Sequence, residues 1–86
     1  MVEQITHQRH LGAAVDVTVY HTGKTAHWVK IETVATGRLL EKRKFVRNGR
    51  RAAENWAVAM FDLLEKRAKF NPDWETRYYP QQKERP

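Results

Sequence analysis

The spacing of apolar residues changes once along this chain, and that change limits its folds more than any other feature. Val15, Val17 and Val19 recur at every second position, the period of a strand with one buried face. Further on, Ala52, Ala53, Trp56, Ala57, Met60, Leu63 and Leu64 recur at three- and four-residue steps, the period of an amphipathic helix. A chain that starts with period two and ends near period 3.6 is an α+β protein, with its strands ahead of its helix.

Three strands are expected. Residues 14–21 form the first. His21-Thr22-Gly23-Lys24 is a turn, with Gly23 at a positive-φ position. Residues 26–34 form the second, with Val29, Ile31 and Thr33 on one face and Trp28, Lys30 and Glu32 on the other. Ala35-Thr36-Gly37 is the next turn. Residues 38–46 form the third strand, whose alternation is imperfect, with Leu39, Leu40, Phe45 and Val46 set among four cations. Connections this short join antiparallel neighbours.

The helix is expected over 49–68, capped by Asn48 and stopped by Asn71-Pro72. Lys66, Arg67 and Lys69 suit its negative end. Its Trp56–Met60–Leu63 stripe is expected to cover the valine face of the sheet, because a three-stranded sheet needs such cover. Glu54, Asn55, Asp62, Glu65, Lys66 and Lys69 are expected on the far side. Residues 1–12 are open between a strand, a helical turn and a loose lead-in. The expected architecture is thus a three-stranded antiparallel meander with one long helix on one face. Residues 1–71 make the single domain and 72–86 a flexible tail. In that tail Trp74, Tyr78 and Tyr79 can fold back, whereas Pro80 to Pro86 has no apolar residue and is expected to lack fixed structure.

Several chemistries are excluded. The 86 residues include neither cysteine nor serine, which removes disulfides, thiolate metal sites and the two commonest side-chain nucleophiles. No phosphate-cradling glycine motif occurs. Glu3, Asp16, Glu32, Glu41 and Glu54 show no pairing for acid–base work. The expectation is a protein that is no enzyme and has no cofactor. Of four histidines, His7 and His10 lie three apart and His21 and His27 flank one turn. They read as surface histidines without a metal. The N-terminus lacks a signal-peptide run, and no apolar stretch spans a membrane, so a cytoplasmic protein is expected.

The charge is concentrated. Arg38, Lys42, Arg43, Lys44, Arg47, Arg50 and Arg51 face only Glu41 within fourteen residues, which accounts for the whole net charge of +6. Such a patch is the footprint of a polyanion ligand. Arg47, Arg50 and Arg51 crowd a helix start, where cations are disfavoured and a phosphate would be welcome. Gly49 there would let a ligand approach the backbone. Lys42 and Lys44 share one face of the third strand with Trp28, a candidate stacking residue, and Arg38 extends the track. Arg43 points the other way and must snorkel or pair with an acid.

Two resemblances add to this reading. Gly49-Arg50-Arg51-Ala52-Ala53 and Ala57, following three strands and His27 just after the first turn, resemble the second half of a double-stranded RNA-binding domain. That resemblance implies that Arg50 and Arg51 grip phosphates across a duplex groove. The run Val19-Tyr20-x-x-Gly23, then Ile31-Glu32-x-Val34-x-x-Gly37-Arg38, is similar to a type I-F anti-CRISPR protein. It implies a small phage inhibitor that occludes a host defence complex, with Tyr20 and Glu32 as partner contacts. Length, basicity and lack of cysteine also resemble early accessory proteins of T7-like phages. The leading expectation is a nucleic-acid-binding module, duplex ahead of single strand. The alternative is an inhibitor of an acidic host protein. A homodimer is compatible with either.

Overall fold

The computed structural model describes residues 4–22, 26–46 and 49–80. Four strands, β1 (Gln4–Leu11), β2 (Val15–Thr22), β3 (Ala26–Thr33) and β4 (Leu39–Val46), precede helix α1 (Gly49–Phe70) and a short helix α2 (Trp74–Tyr78). The sheet is a pure antiparallel meander in the order β1-β2-β3-β4. It therefore has four strands, not three, because residues 4–11 pair with β2. The Asn48 cap, the Gly23-Lys24 turn and residues 81–86 lie outside the described residues. Among the described residues no helix is long and apolar enough to cross a membrane.

The cross-strand pairs assign every strand residue to a face. Val15, Val17, Val19 and His21 stand opposite Thr33, Ile31, Val29 and His27, and α1 covers this face. Val15, Val17, Val19, Val29 and Ile31 are fully buried with Ala53, Ala57 and Leu64 of the helix. Each large aliphatic side chain buried this way contributes about 1.5–3 kcal/mol, well above an exposed ion pair at about 0–1 kcal/mol. The valine pattern holds the domain together.

The helix seats itself one row away from the expected stripe. Ala53, Ala57 and Leu64 form its fully buried line, with Trp56, Met60, Phe61 and Ala68 beside them, while Leu63 is 39% exposed. Alanines at two successive turns let the helix axis approach the sheet, which a Trp–Met–Leu line would hold off. Glu65 also departs from the outer face. Its carboxylate accepts the backbone N–H groups of Ala13, Ala14 and Val15 at 3.0, 2.8 and 2.8 Å. It thereby ties the β1–β2 turn to the helix. A Cβ on Gly12 would collide with that carboxylate, so any other residue there would require Glu65 to shift against its three donors.

Two bulges explain where alternation breaks. Thr6 pairs with Tyr20 and Gln8 with Val19, so His7 is the extra residue of β1. Glu41 pairs with Ile31 and Leu39 with Glu32, so Leu40 is the extra residue of β4. A bulge points two successive side chains to one side. Leu40 thus joins the core beside Glu41.

The packed unit runs past residue 71. Trp74 is 8% exposed and belongs to the core, and Tyr79 packs against it. Arg38 holds this segment down, donating to Glu75 at 2.9 Å and to the Tyr79 carbonyl at 3.0 Å. The Tyr79 hydroxyl donates to Glu41 at 3.2 Å. Burial, and then the neighbouring Glu41 carboxylate, push the Tyr79 phenol up to about 12 from an ordinary 10.0. Because the folded value is the higher one, this stabilisation is complete below the unfolded value and is lost as pH rises through about 12. An alkaline ultraviolet titration should show a late phenolate step that Tyr79→Phe lacks. A parent titration in which every phenol ionises near 10.0, with no late step, would contradict the contact.

Candidate functional site

The face turned away from α1 is built by the alternate residues of each strand. Trp28 lies opposite Lys44, Lys30 opposite Lys42, and Tyr20 opposite Trp28. No helix among the described residues covers this face. The Lys42 ammonium sits 4.8 Å from the centre of the Trp28 ring and the Lys44 ammonium 5.6 Å from it. The Lys30 ammonium stands 5.5 Å from the Tyr20 ring. Cations over aromatic faces are attracted at about 0.5–1 kcal/mol each when exposed. Lys30 and Lys42 are nonetheless like charges directly opposed, an unfavourable pair on a sheet. Among the described residues none of Lys30, Lys42 and Lys44 makes an ion pair.

The other site residues expected from sequence separate from this cluster. Arg38 is engaged by Glu75 and the Tyr79 carbonyl, so its guanidinium anchors α2 instead of extending a phosphate track. Arg47 lies outside the described residues. Arg50 donates to Glu54 at 3.0 Å and Arg51 is exposed, both on the helix that covers the opposite face. Gly49 is buried, and a Cβ there would lie 2.7 Å from the Phe45 Cβ. Its glycine serves close packing of the helix start on β4, not approach by a ligand. Arg43 stays exposed on the α1 side of the sheet, as snorkelling requires, and among the described residues pairs with no acid. Its guanidinium lies 5.2 Å from the centres of both the Phe45 and Trp56 rings.

Tyr20 is 4% exposed. It cannot present its ring as a partner contact, because the neighbouring strands and Lys30 cover it. Glu32 remains half-buried on the open face.

Comparison with known protein families, with characterised proteins and with solved structures finds no match. The geometry alone must carry the functional reading.

Three of the four histidines meet on the α1 side, at the end of the sheet near the helix start. His7 comes from the β1 bulge, His21 from β2 and His27 from β3. Their ring centres lie 4.6 to 5.5 Å apart. Burial lowers the pKa of His7, reinforced by Arg50, His21 and His27 and opposed by Glu54. Burial likewise lowers that of His27, reinforced by His21 and Arg50 and opposed by Glu54. Neither sequence pair of histidines, 7 with 10 or 21 with 27, gives this trio. It becomes visible only once residues 4–11 are paired with β2. His10 stays apart, hydrogen-bonded to Gln8 at 3.2 Å.

A groove of about 780 Å³ lies at the other end, between the β1–β2 turn and the C-terminal half of α1, with Ala14, Phe70 and Trp74 among its lining residues. No site residue expected from sequence lines it.

Proposed function

We propose that this protein binds nucleic acid through the open face of its sheet, gripping backbone phosphate and performing no covalent chemistry. The observation that carries the reading is Trp28 flanked by Lys42 and Lys44, with Lys30 opposed to Lys42. Three ammonium groups share one uncovered face with an aromatic plane. A phosphate backbone relieves their mutual repulsion, and displacing a lysine from the ring opens a surface for stacking. Arg50 and Arg51 form a second basic surface on the helix side. It contributes attraction at longer range.

The test compares two double variants by fluorescence anisotropy on duplex RNA and duplex DNA. Lys42→Ala with Lys44→Ala should weaken binding and lower the salt slope by about 1.8, at about 0.9 for each phosphate no longer neutralised. Arg50→Ala with Arg51→Ala should cost less. Should the arginine pair carry all the binding, the open face is the wrong assignment.

A second reading is favoured by Leu39 and Val46, which are 50% and 59% exposed on the same face. Apolar side chains bordering a cationic centre suit an acidic protein surface, as in an inhibitor. A stoichiometric protein partner that survives nuclease treatment supports that reading and displaces the first.

A further inference from the structure

We propose that His7, His21 and His27 form a binding site for one divalent transition-metal ion, of the kind that imidazole prefers, with zinc as the leading candidate. The site lies on the opposite side of the sheet from the lysine face and does not depend on the reading of that face.

Each histidine offers one ring nitrogen, and these three nitrogens lie within 4.8 Å of one another. They arrive from three different strands, so backbone pairing and not a flexible loop sets their spacing. Zinc–nitrogen bonds of 2.0–2.1 Å in a tetrahedral site place ligand nitrogens about 3.4 Å apart. Small side-chain rotations therefore bring the trio onto one ion. The bulge at His7 is the device that permits it. It turns His7 and Gln8 to the same side, and so puts an imidazole over the His21–His27 pair, which are directly opposed.

The polar accounting points the same way. His27 Nδ1 is buried and has no hydrogen-bond partner among the described residues. An orphaned buried nitrogen is rare and costly. His7 Nε2 and His21 Nδ1 are directed at each other, which leaves His27 Nδ1 without a partner from the trio. A metal ion accepts all three lone pairs at once. Packing alone is a poor explanation for the cluster, because three clustered imidazoles bring polar atoms together that aliphatic side chains at the same positions would not.

Glu54 in the first turns of α1 is a carboxylate that could supply a fourth donor. Its charge acts on His7 and His27, and it is held by Arg50 at 3.0 Å. Water serves equally well, as in other three-histidine sites. Bound metal would fasten β1, an edge strand whose Ile5 and Leu11 are 44% and 61% exposed, to β2 beside it and to β3 beyond.

The experiment is a calorimetric titration of the untagged, metal-stripped chain with zinc sulfate, repeated with cobalt to read its ligand-field absorption. The expected result is one ion per chain with a dissociation constant of about 1 μM or tighter. His7→Gln and His27→Gln should each weaken binding at least about tenfold, while His10→Gln, outside the trio, should not. Nitrogen-detected histidine spectra of the parent protein provide a readout that survives a variant's failure to fold. Zinc should shift the ring signals of His7, His21 and His27 together and leave those of His10 in place. Absence of saturable binding at micromolar zinc overturns the site. So does undiminished binding by folded His7→Gln and His27→Gln, or a response centred on His10.

Discussion

Replacing Glu65 by alanine should destabilise the fold by about 3 kcal/mol or more, since hydrogen bonds to a charged group are worth about 1.5–3 kcal/mol each and are not additive. One carboxylate here accepts three successive backbone N–H groups, those of Ala13, Ala14 and Val15. Alanine leaves the three donors of the β1–β2 turn without that partner, and β1 with a loosened connection. Against a total stability of about 5–15 kcal/mol for a domain, this is a large share. Urea unfolding should show a lower midpoint with an unchanged slope. Glu65→Gln, which keeps one acceptor oxygen and loses the charge, should fall between parent and alanine. A Glu65→Ala midpoint equal to that of the parent would mean the turn is held by other interactions.

Trp74→Ala should cost about 3–5 kcal/mol, the range for removing a buried indole. Trp74 is the only residue of α2 that is buried, at 8% exposure. Arg38, Glu75, Tyr79 and Glu41 hold the same segment in place by hydrogen bonds. Their joint effect is tested by ending the chain after Asn71. That truncation should be at least as destabilising as Trp74→Ala. A truncated protein with parental stability would show that the segment beyond residue 71 is a tail after all.

How much of the fold is legible in the sequence follows from how locally each element is encoded. β2, β3 and α1 carry their periods in consecutive residues, so both the meander and the helix can be read directly. β1 cannot, because its covered face is made of Ile5, His7, Gln8 and His10. Three polar residues and a bulge erase the alternation that marks a strand. In β4 the extra Leu40, second residue of the strand, shifts the pattern by one residue between Leu39 and Glu41, so its register does not follow from the pattern. α2 has only five residues, too few to show a period, and only Trp74 hints at burial.

The same logic applies to the site. Lys42 and Lys44 alternate within one strand, and Trp28 and Lys30 within its neighbour, so their common face is legible. The role of Arg38 is not, because its partner Glu75 is 37 positions away. Arg50 and Arg51 are close to the lysines in sequence, but a helix packed on the opposite face separates them in space. The strand period puts Tyr20 on the correct face, yet its burial depends on the two strands beside it, β1 and β3. The histidine trio is entirely a product of strand pairing.

We propose that the open lysine–tryptophan face binds a phosphate backbone. The most direct measurement is the anisotropy of labelled duplex RNA, duplex DNA and single strands titrated with the full chain at two salt concentrations. Binding that weakens steeply with salt, with a slope equivalent to about three or more phosphate contacts, is the predicted result, and duplex should bind ahead of single strand. Absence of binding to every nucleic acid at low salt would contradict the claim and assign the face to a protein partner.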